Sequence, residues 1–332
     1  MNITPRDVWS LILAGGDGTR LGSLTRQITG EARPKQFCPL LDGDTLLDRT
    51  RRRVDLLTRF DRQVVVVSRD HARFYGRLAN DLAPGRLVEQ PANRGTAPGV
   101  LYPLLRIAEL GGDVPVAIFP SDHFVDDDVA FVGAVSAAVD AVQERPDLVV
   151  LLGIEADTPE TEYGWIEFDE RPLPLPGSEP VFPVLRFREK PTRPVAEALL
   201  AHGCLWNSFV MVGRPSGFLD LYRAGAPELL RAFQPILRAL GTPHEPAAAE
   251  RVYAGLPAVD FSQRVLAPSG RLGVVRVKGV EWSDLGTVER LAATLRQQRL
   301  PAPVARHAPD RRLSPRRSPS NRPAVEESSR PI

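Results

Sequence analysis

Cysteine is nearly missing from this chain: Cys38 and Cys204 are its only two in 332 residues. They lie far apart and form no C-x-x-C spacing, so neither a disulfide framework nor a structural zinc site is indicated. That usage fits a reducing compartment, and the expected location is the cytoplasm. The start, MNITPRDVW, has no basic stretch followed by an apolar run, so no leader is expected. No segment approaches the roughly 18 apolar residues of a membrane span. A large charge of either sign is also lacking. The formal net charge of +1 removes the main electrostatic reason to expect nucleic acid or a membrane surface as principal partner. Lysine is scarce as well: of 42 basic residues only Lys35, Lys190 and Lys278 are lysines. No internal repeat is visible.

With 43% apolar residues the chain can bury one large core, and a single α/β domain with additions is the natural expectation. Short β-branched runs at 9–13, 63–67, 115–119 and 148–152 alternate with segments of helical period at 45–59, 70–82, 96–110 and 128–145. That alternation predicts a largely parallel sheet with helices on both faces. Asp44 and Thr96 stand where N-caps belong, and Pro98 is tolerated in a first helical turn because its missing N–H would be unpaired there. After about residue 153 the pattern changes to extended pieces at 165–168, 184–189, 209–212 and 272–277, with helices near 194–202 and 227–240 and a loop over 171–183. A final helix over 287–299 precedes a Pro/Arg/Ser-rich tail, 301–332, with no buriable periodicity, which is expected to be disordered.

The first run leads into Ala14-Gly15-Gly16-Asp17-Gly18-Thr19-Arg20, where successive backbone N–H groups could face an anion and Arg20 could add a bidentate fork. A plain tight turn after a strand would use the same glycines. No Gly-Lys-Ser/Thr closes a Walker loop, and the third glycine of the dinucleotide fingerprint is absent. Arg33-Pro34-Lys35-Gln36-Phe37 follows and brings one of the rare lysines near the same strand end, where a compact ammonium suits a migrating phosphate charge. Asp122 lies just past the third run, in Pro120-Ser121-Asp122-His123, where open α/β sheets place ligand chemistry. Asp284 lies in Trp282-Ser283-Asp284-Leu285-Gly286. Mg²⁺ is usually held by one or two carboxylates with water and phosphates, so the two could form a pair. Either Asp could instead cap a turn, and His123 is expected to pack rather than to exchange protons. Glu189-Lys190-Pro191 ends another strand and sets a carboxylate beside one of the rare lysines.

LAGGDGTRLGSLT followed by PKQF resembles the opening of the nucleotide-sugar pyrophosphorylases, closest to mannose-1-phosphate guanylyltransferases, and the motifs recur in order to about residue 291. The resemblance implies a Rossmann-like, GT-A-like mixed and mostly parallel sheet in one main domain with a smaller sugar-binding lobe. It divides residues 1–300 into a nucleotide-binding part (1–153), a sugar-binding part (154–286) and a C-terminal helix (287–300). It implies that Ala14, Gly15, Gly16, Gly18, Thr19, Arg20, Lys35, Arg94 and Thr96 bind the nucleotide, and that Asp122 and Asp284 ligate Mg²⁺. Gly164, Glu189, Lys190 and Asn207 would bind the sugar phosphate. Arg20, Lys35, Asp122, Lys190 and Asp284 would carry the chemistry. The chain departs from the family pattern at Gly95, Glu162 and Phe209, where Asn, Gly and Gly are usual; all three fall on the recognition side.

The partners so implied are a nucleoside triphosphate, with GTP favoured, and a sugar 1-phosphate, with mannose 1-phosphate favoured; a homo-oligomer is compatible with all of this. A sugar phosphate is already an anion near neutral pH and can attack the α-phosphorus without a protein nucleophile, so catalysis reduces to positioning and charge neutralisation. Two other classes compete. One is a pyrophosphorylase-like regulatory protein without turnover; the other is an NAD-dependent enzyme, which the missing acidic strand end disfavours.

Overall fold

Alternation of apolar residues along the first four long strands puts side chains on both faces of one sheet, and each face is covered by a long helix. The computed structural model describes residues 6–177, 179–300 and 303; the tail expected to be disordered lies outside these except for Pro303. The strands are β1 (Trp9–Ala14), β2 (Gln63–Ser68), β3 (Leu87–Gln90), β4 (Val116–Pro120), β5 (Phe124–Val125), β6 (Val149–Glu155), β7 (Gly164–Phe168), β8 (Val181–Glu189), β9 (Leu205–Gly213), β10 (Leu272–Val277) and β11 (Trp282–Ser283). Trp9 and Leu11 of β1, Val64 and Val66 of β2, and Val116 and Ile118 of β4 pack with Val100, Leu104 and Ile107 of the helix Thr96–Gly111. Their neighbours Ile12, Val65, Val67, Ala117 and Phe119 pack on the opposite face with Phe131, Val135 and Val139 of the helix Asp128–Glu144.

The main sheet has nine strands in the order β3-β2-β1-β4-β9-β6-β10-β8-β7. β3, β2, β1 and β4 run parallel, as expected for the first half. The second half differs. Only β6 and β10 are parallel there, while β4–β9, β9–β6, β10–β8, β8–β7 and β7–β9 are antiparallel. The sheet is therefore mixed but less parallel than the sequence led us to expect, because β9 enters between β4 and β6 against both, and β7 runs against both β8 and β9. The extra β7–β9 pairing joins β9, β6, β10, β8 and β7 into a closed ring of strands.

Several local expectations shift. Thr45, not Asp44, caps the helix Leu46–Asp55 by accepting from Asp48 N at 3.0 Å, and Asp44 instead pairs with Arg52. Gly95 occupies the cap before Thr96. The expected helix at 227–240 is two short ones, Pro227–Ala232 and Gln234–Ala239, because Pro235 cannot donate within a continuous helix. A third, small core joins Leu21, Leu40 and Leu46 to Leu285, Leu291 and Leu295. It anchors the C-terminal helix Val288–Gln297 against the loops after β1 and so fixes where Asp284 sits. Among the described residues no helix is long and apolar enough to cross a membrane.

Candidate active site

The parallel strands β1, β2, β3 and β4 end on one side of the sheet, and the loops there, with β7–β9 opposite, enclose a cavity of about 590 Å³. Of the residues singled out in the sequence, Gly15, Gly16, Arg20, Thr96, Asp122, Gly164, Glu189, Lys190, Asn207 and Asp284 line it. Ala14, Gly18, Thr19, Lys35 and Arg94 do not.

The glycine loop is held from behind. Gln36 Nε2 donates to Ala14 O at 3.0 Å and to Gly16 O at 2.7 Å, which turns the PKQF segment into a brace. Asp17 is drawn away from the cavity by Asn93 Nδ2 at 2.9 Å and His71 Nε2 at 3.3 Å. His71 is buried and its Nδ1 has no partner among the described residues. Burial holds its pKa below the usual histidine value against the pull of Asp17, so the neutral ring donates from Nε2 and leaves only a lone pair unmatched. Gly18 is left-handed at φ +60° and packs against Lys35 N, and Thr19 opens the single turn Thr19–Leu21. Arg20 Nη1 lies 3.5 Å from Glu162 Oε2, linking this loop to the turn before β7. Arg94 turns its Nε to Tyr253 O at 3.0 Å and so faces the helix Glu245–Gly255 rather than the cavity.

Lys35, expected on the phosphates, is buried between the two aspartate segments. Its Nζ is 3.2 Å from Asp122 Oδ2 and donates to the backbone carbonyl of Asp284. Asp284 Oδ1 accepts from Gly286 N at 2.8 Å, Arg290 Nη1 at 3.0 Å and Tyr163 OH at 3.2 Å. Burial would raise the Asp284 carboxyl, but His123, Lys35, Arg290 and the Gly286 amide together bring its pKa below the ordinary value. Burial also keeps His123 on the neutral side, so Lys35 and Arg290 are the cations that act on Asp284 near pH 7. His123 packs edge-on against Trp282, ring centres 5.2 Å apart.

Both carboxylates face one cavity, and each keeps an oxygen without a hydrogen bond among the described residues: Asp284 Oδ2, and Asp122 Oδ1, which lies 3.7 Å from His123 Nε2. Two hard oxygens fit Mg²⁺, which takes few protein ligands and completes its shell with water and phosphate. No group of three or more His, Cys, Asp or Glu able to hold a metal occurs among the described residues, so a metal here would depend on substrate oxygens.

On the opposite wall, register brings the sugar-side residues together. Gly164 of β7 faces Glu189 of β8, and a Cβ at 164 would fall 2.8 Å from Glu189 Oε2 and 2.7 Å from the Phe187 ring. Glycine allows that approach without displacing either side chain. Burial first, then Asp260 and Glu162, raise the Glu189 pKa to about 7 against the opposing Lys190. Lys190 (φ +45°), Phe209 (φ +58°) and Leu285 (φ +48°) are left-handed without being glycine, a conformation that costs about 1–2 kcal/mol each and clusters at functional sites. Gly95, at φ +85°, meets Val259 so closely that a Cβ would lie 2.4 Å from its carbonyl oxygen. The departure from the family's Asn at 95 thus follows from the segment 258–262 folding onto this loop.

Sequence reading missed that segment, which supplies Ala258, Val259, Asp260 and Ser262 to the wall. Phe261 N donates to Thr96 Oγ1 at 2.7 Å, so a loop distant in sequence sets the Thr96 side chain. It also missed Arg290, whose Nη2 pairs with Glu160 at 2.6 Å and whose guanidinium lies 4.3 Å from the Tyr163 ring centre. Arg290 falls inside an ordinary amphipathic helix and carries no local signal. Tyr163 could have been found, since it adjoins Gly164 in the same turn.

Residues 9–299 match the family model described as Nucleotidyl transferase, and the chain belongs to that family. It is 33% identical over 231 residues to the xanthan biosynthesis protein XanB of Xanthomonas campestris pv. campestris strain B100, covering 69% of this chain and 46% of XanB. It is 28% identical over 289 residues to a mannose-1-phosphate guanylyltransferase of Klebsiella pneumoniae, covering 83% and 58% respectively. The chain therefore spans about half the length of these curated relatives. Among solved structures, a mannose-1-phosphate geranyltransferase from Thermus thermophilus is similar at a TM-score of 0.72 and 31% identity, over 85% of this chain and 77% of that one. The mixed α/β nucleotidyltransferase fold is thereby shared.

Proposed function

From membership of this family and the geometry of the cavity, we propose that the protein joins a nucleoside triphosphate to a sugar 1-phosphate, giving a nucleoside diphosphate sugar and pyrophosphate. The observation that carries the reading is the convergence on one cavity of a braced glycine loop with Arg20, the aspartate pair bridged by Lys35, and Glu189–Lys190. Residues 1–153 serve as a Rossmann-like nucleotide part, 154–286 as the sugar-binding part and 287–300 as the helix that seats Asp284.

Gly15, Gly16 and Arg20 bind the triphosphate, and Thr96 faces the nucleoside. Glu189 accepts from sugar hydroxyls beside Asn207 and Gly164, while Lys190 aligns the attacking phosphate oxygen for in-line displacement at the α-phosphorus. Asp122 and Asp284 would hold Mg²⁺, which would supply positive charge against phosphates that otherwise repel. Lys35 keeps the two aspartate segments at a fixed separation and adds positive charge behind them. The bond from the sugar phosphate oxygen to phosphorus forms as the bond to pyrophosphate breaks, and no protein nucleophile is required.

GTP with mannose 1-phosphate is the favoured pair, on the order of the motifs and the names of the relatives. Pyrophosphate release measured over a matrix of nucleoside triphosphates and sugar 1-phosphates tests both levels. Preference for another pair by more than about tenfold in kcat/KM, roughly 1.4 kcal/mol, overturns the specificity alone. No release with any pair, under conditions in which nucleotide still binds, would make the protein a regulatory binder.

A further inference from the structure

We infer that Phe209 decides which sugar 1-phosphate enters, its ring closing the sugar end of the cavity to hexoses that carry a bulky substituent such as an acetamido group. The inference rests on the nucleotidyl-transfer reading above. Its origin is a break in the sheet. β6 and β9 are in register at Leu151↔Met211 and again at Gly153↔Asn207, so residues 208–210 of β9 stand opposite Leu152 alone. Ser208 replaces the lost ladder bonds: its hydroxyl donates to Leu152 O at 2.7 Å and accepts from Val210 N at 3.1 Å. Phe209 N turns aside to Asn207 Oδ1 at 3.1 Å.

The bulge thus expels Phe209 from the ladder, which is how bulges re-aim side chains beside active sites. The ring leans edge-on against Phe261, centres 5.9 Å apart, and lines the cavity with Gly164, Glu189, Asn207 and Asp260. Glycine would adopt φ +58° without strain, and Asn more easily than most residues. A phenyl ring held there against its backbone preference is accounted for by the space it fills. The cavity, of about 590 Å³, must take both a nucleotide and a hexose phosphate, and the ring stands among its sugar-side residues. Removing the ring frees more room than an acetamido group occupies, and even one methylene in an apolar pocket is worth about 10–200-fold in discrimination.

The test uses the full chain as wild type, Phe209→Gly and Phe209→Asn. Each is assayed for kcat/KM with a hexose 1-phosphate and its N-acetylhexosamine counterpart, at one nucleoside triphosphate. The expected result is a shift of the ratio towards the acetamido sugar by about tenfold or more in Phe209→Gly. A smaller shift is expected in Phe209→Asn, which also carries the test should the glycine variant lose too much packing on Phe261 to fold. The KM for the nucleotide should hold within about twofold in both, as expected when the lost contact is to the other substrate. An unchanged ratio, or a change confined to the nucleotide KM, overturns the assignment while wild-type turnover leaves the reaction class intact. Absence of turnover by the wild type with every pair overturns the reading beneath it, and the inference with it.

Discussion

The two walls of the cavity are built by different means. On the β1–β4 side the backbone is open loop, and its shape depends on a few polar side chains reaching in from elsewhere: Gln36 under Ala14 and Gly16, Asn93 and His71 on Asp17. On the β7–β9 side the shape is set by strand register, by Gly164 packed onto Glu189, and by a bulge that holds Phe209 left-handed. The first wall can be loosened one hydrogen bond at a time. The second resists small polar changes and responds to volume and backbone conformation. Asp122 and Asp284 sit at the seam, one from each half, with Lys35 between them.

The seam should give the largest effects. Asp122→Asn or Asp284→Asn is expected to lower kcat by about 10²–10³-fold with folding retained, the scale for removing a dominant electrostatic stabiliser. The double variant should be little worse than the worse single, as for groups acting as a unit. Multiplicative losses with an unchanged Mg²⁺ requirement would separate the two and break the picture of a shared ion.

Arg290 tests whether the seam is held from the C-terminal helix. It shares Asp284 Oδ1 with Tyr163 and Gly286 and is itself held by Glu160. Arg290→Ala should reduce kcat by about tenfold, roughly 1.4 kcal/mol, and raise the Mg²⁺ concentration for half-maximal rate; Arg290→Lys should restore part of both. A fall in melting temperature with unaltered Mg²⁺ dependence would leave Arg290 a packing residue.

The contrast between the walls sharpens with His71→Ala or Asn93→Ala. Each removes one support of Asp17 and should raise the nucleotide KM about fivefold, roughly 1 kcal/mol for one hydrogen bond, with the sugar phosphate KM unmoved. Equal changes in both constants would mean that the walls do not act separately.

The smallest effect should come from pH on the register-built wall. Glu189, its pKa raised to about 7 mainly by burial, is protonated below that point and a full acceptor above it. The sugar phosphate KM should therefore fall a few-fold between about pH 6 and 8 relative to Glu189→Gln at the same pH, a comparison that cancels the substrate's own ionisation near 6. Stability runs the other way. A carboxyl whose folded pKa exceeds its unfolded value near 4.5 stabilises the fold below that value, and the contribution is lost as pH rises through about 7. Urea unfolding of Glu189→Gln should show a flatter decline over this window.

The parallel half was legible because β1, β2 and β4 are buried on both faces, which leaves short continuous apolar runs bounded by turn residues. β3 was not, since only four residues, Leu87–Gln90, form it. The caps at Thr45 and Gly95 were displaced by one residue because Asp44 found Arg52 and residue 95 had to pass beneath Val259. In the site, residues within contiguous motifs were found and most of them line the cavity. The motifs did not show that Lys35 and Arg94 turn to the carbonyls of Asp284 and Tyr253, since spacing in sequence says nothing of which way a long side chain turns.

What the sequence determined by itself is the set of short-range features: the strand and glycine-loop unit, the scarcity of lysine, the aspartates at strand ends and the family to which their order belongs. These follow from bonds between near neighbours and from local backbone freedom, which a linear string records. The tertiary structure alone decided that 258–262 folds against Gly95 and Thr96, that Arg290 holds Asp284, and that a two-residue mismatch between β6 and β9 turns Phe209 into the cavity. Each joins segments far apart in the chain, and such contacts are chosen by packing and register, for which no local pattern exists.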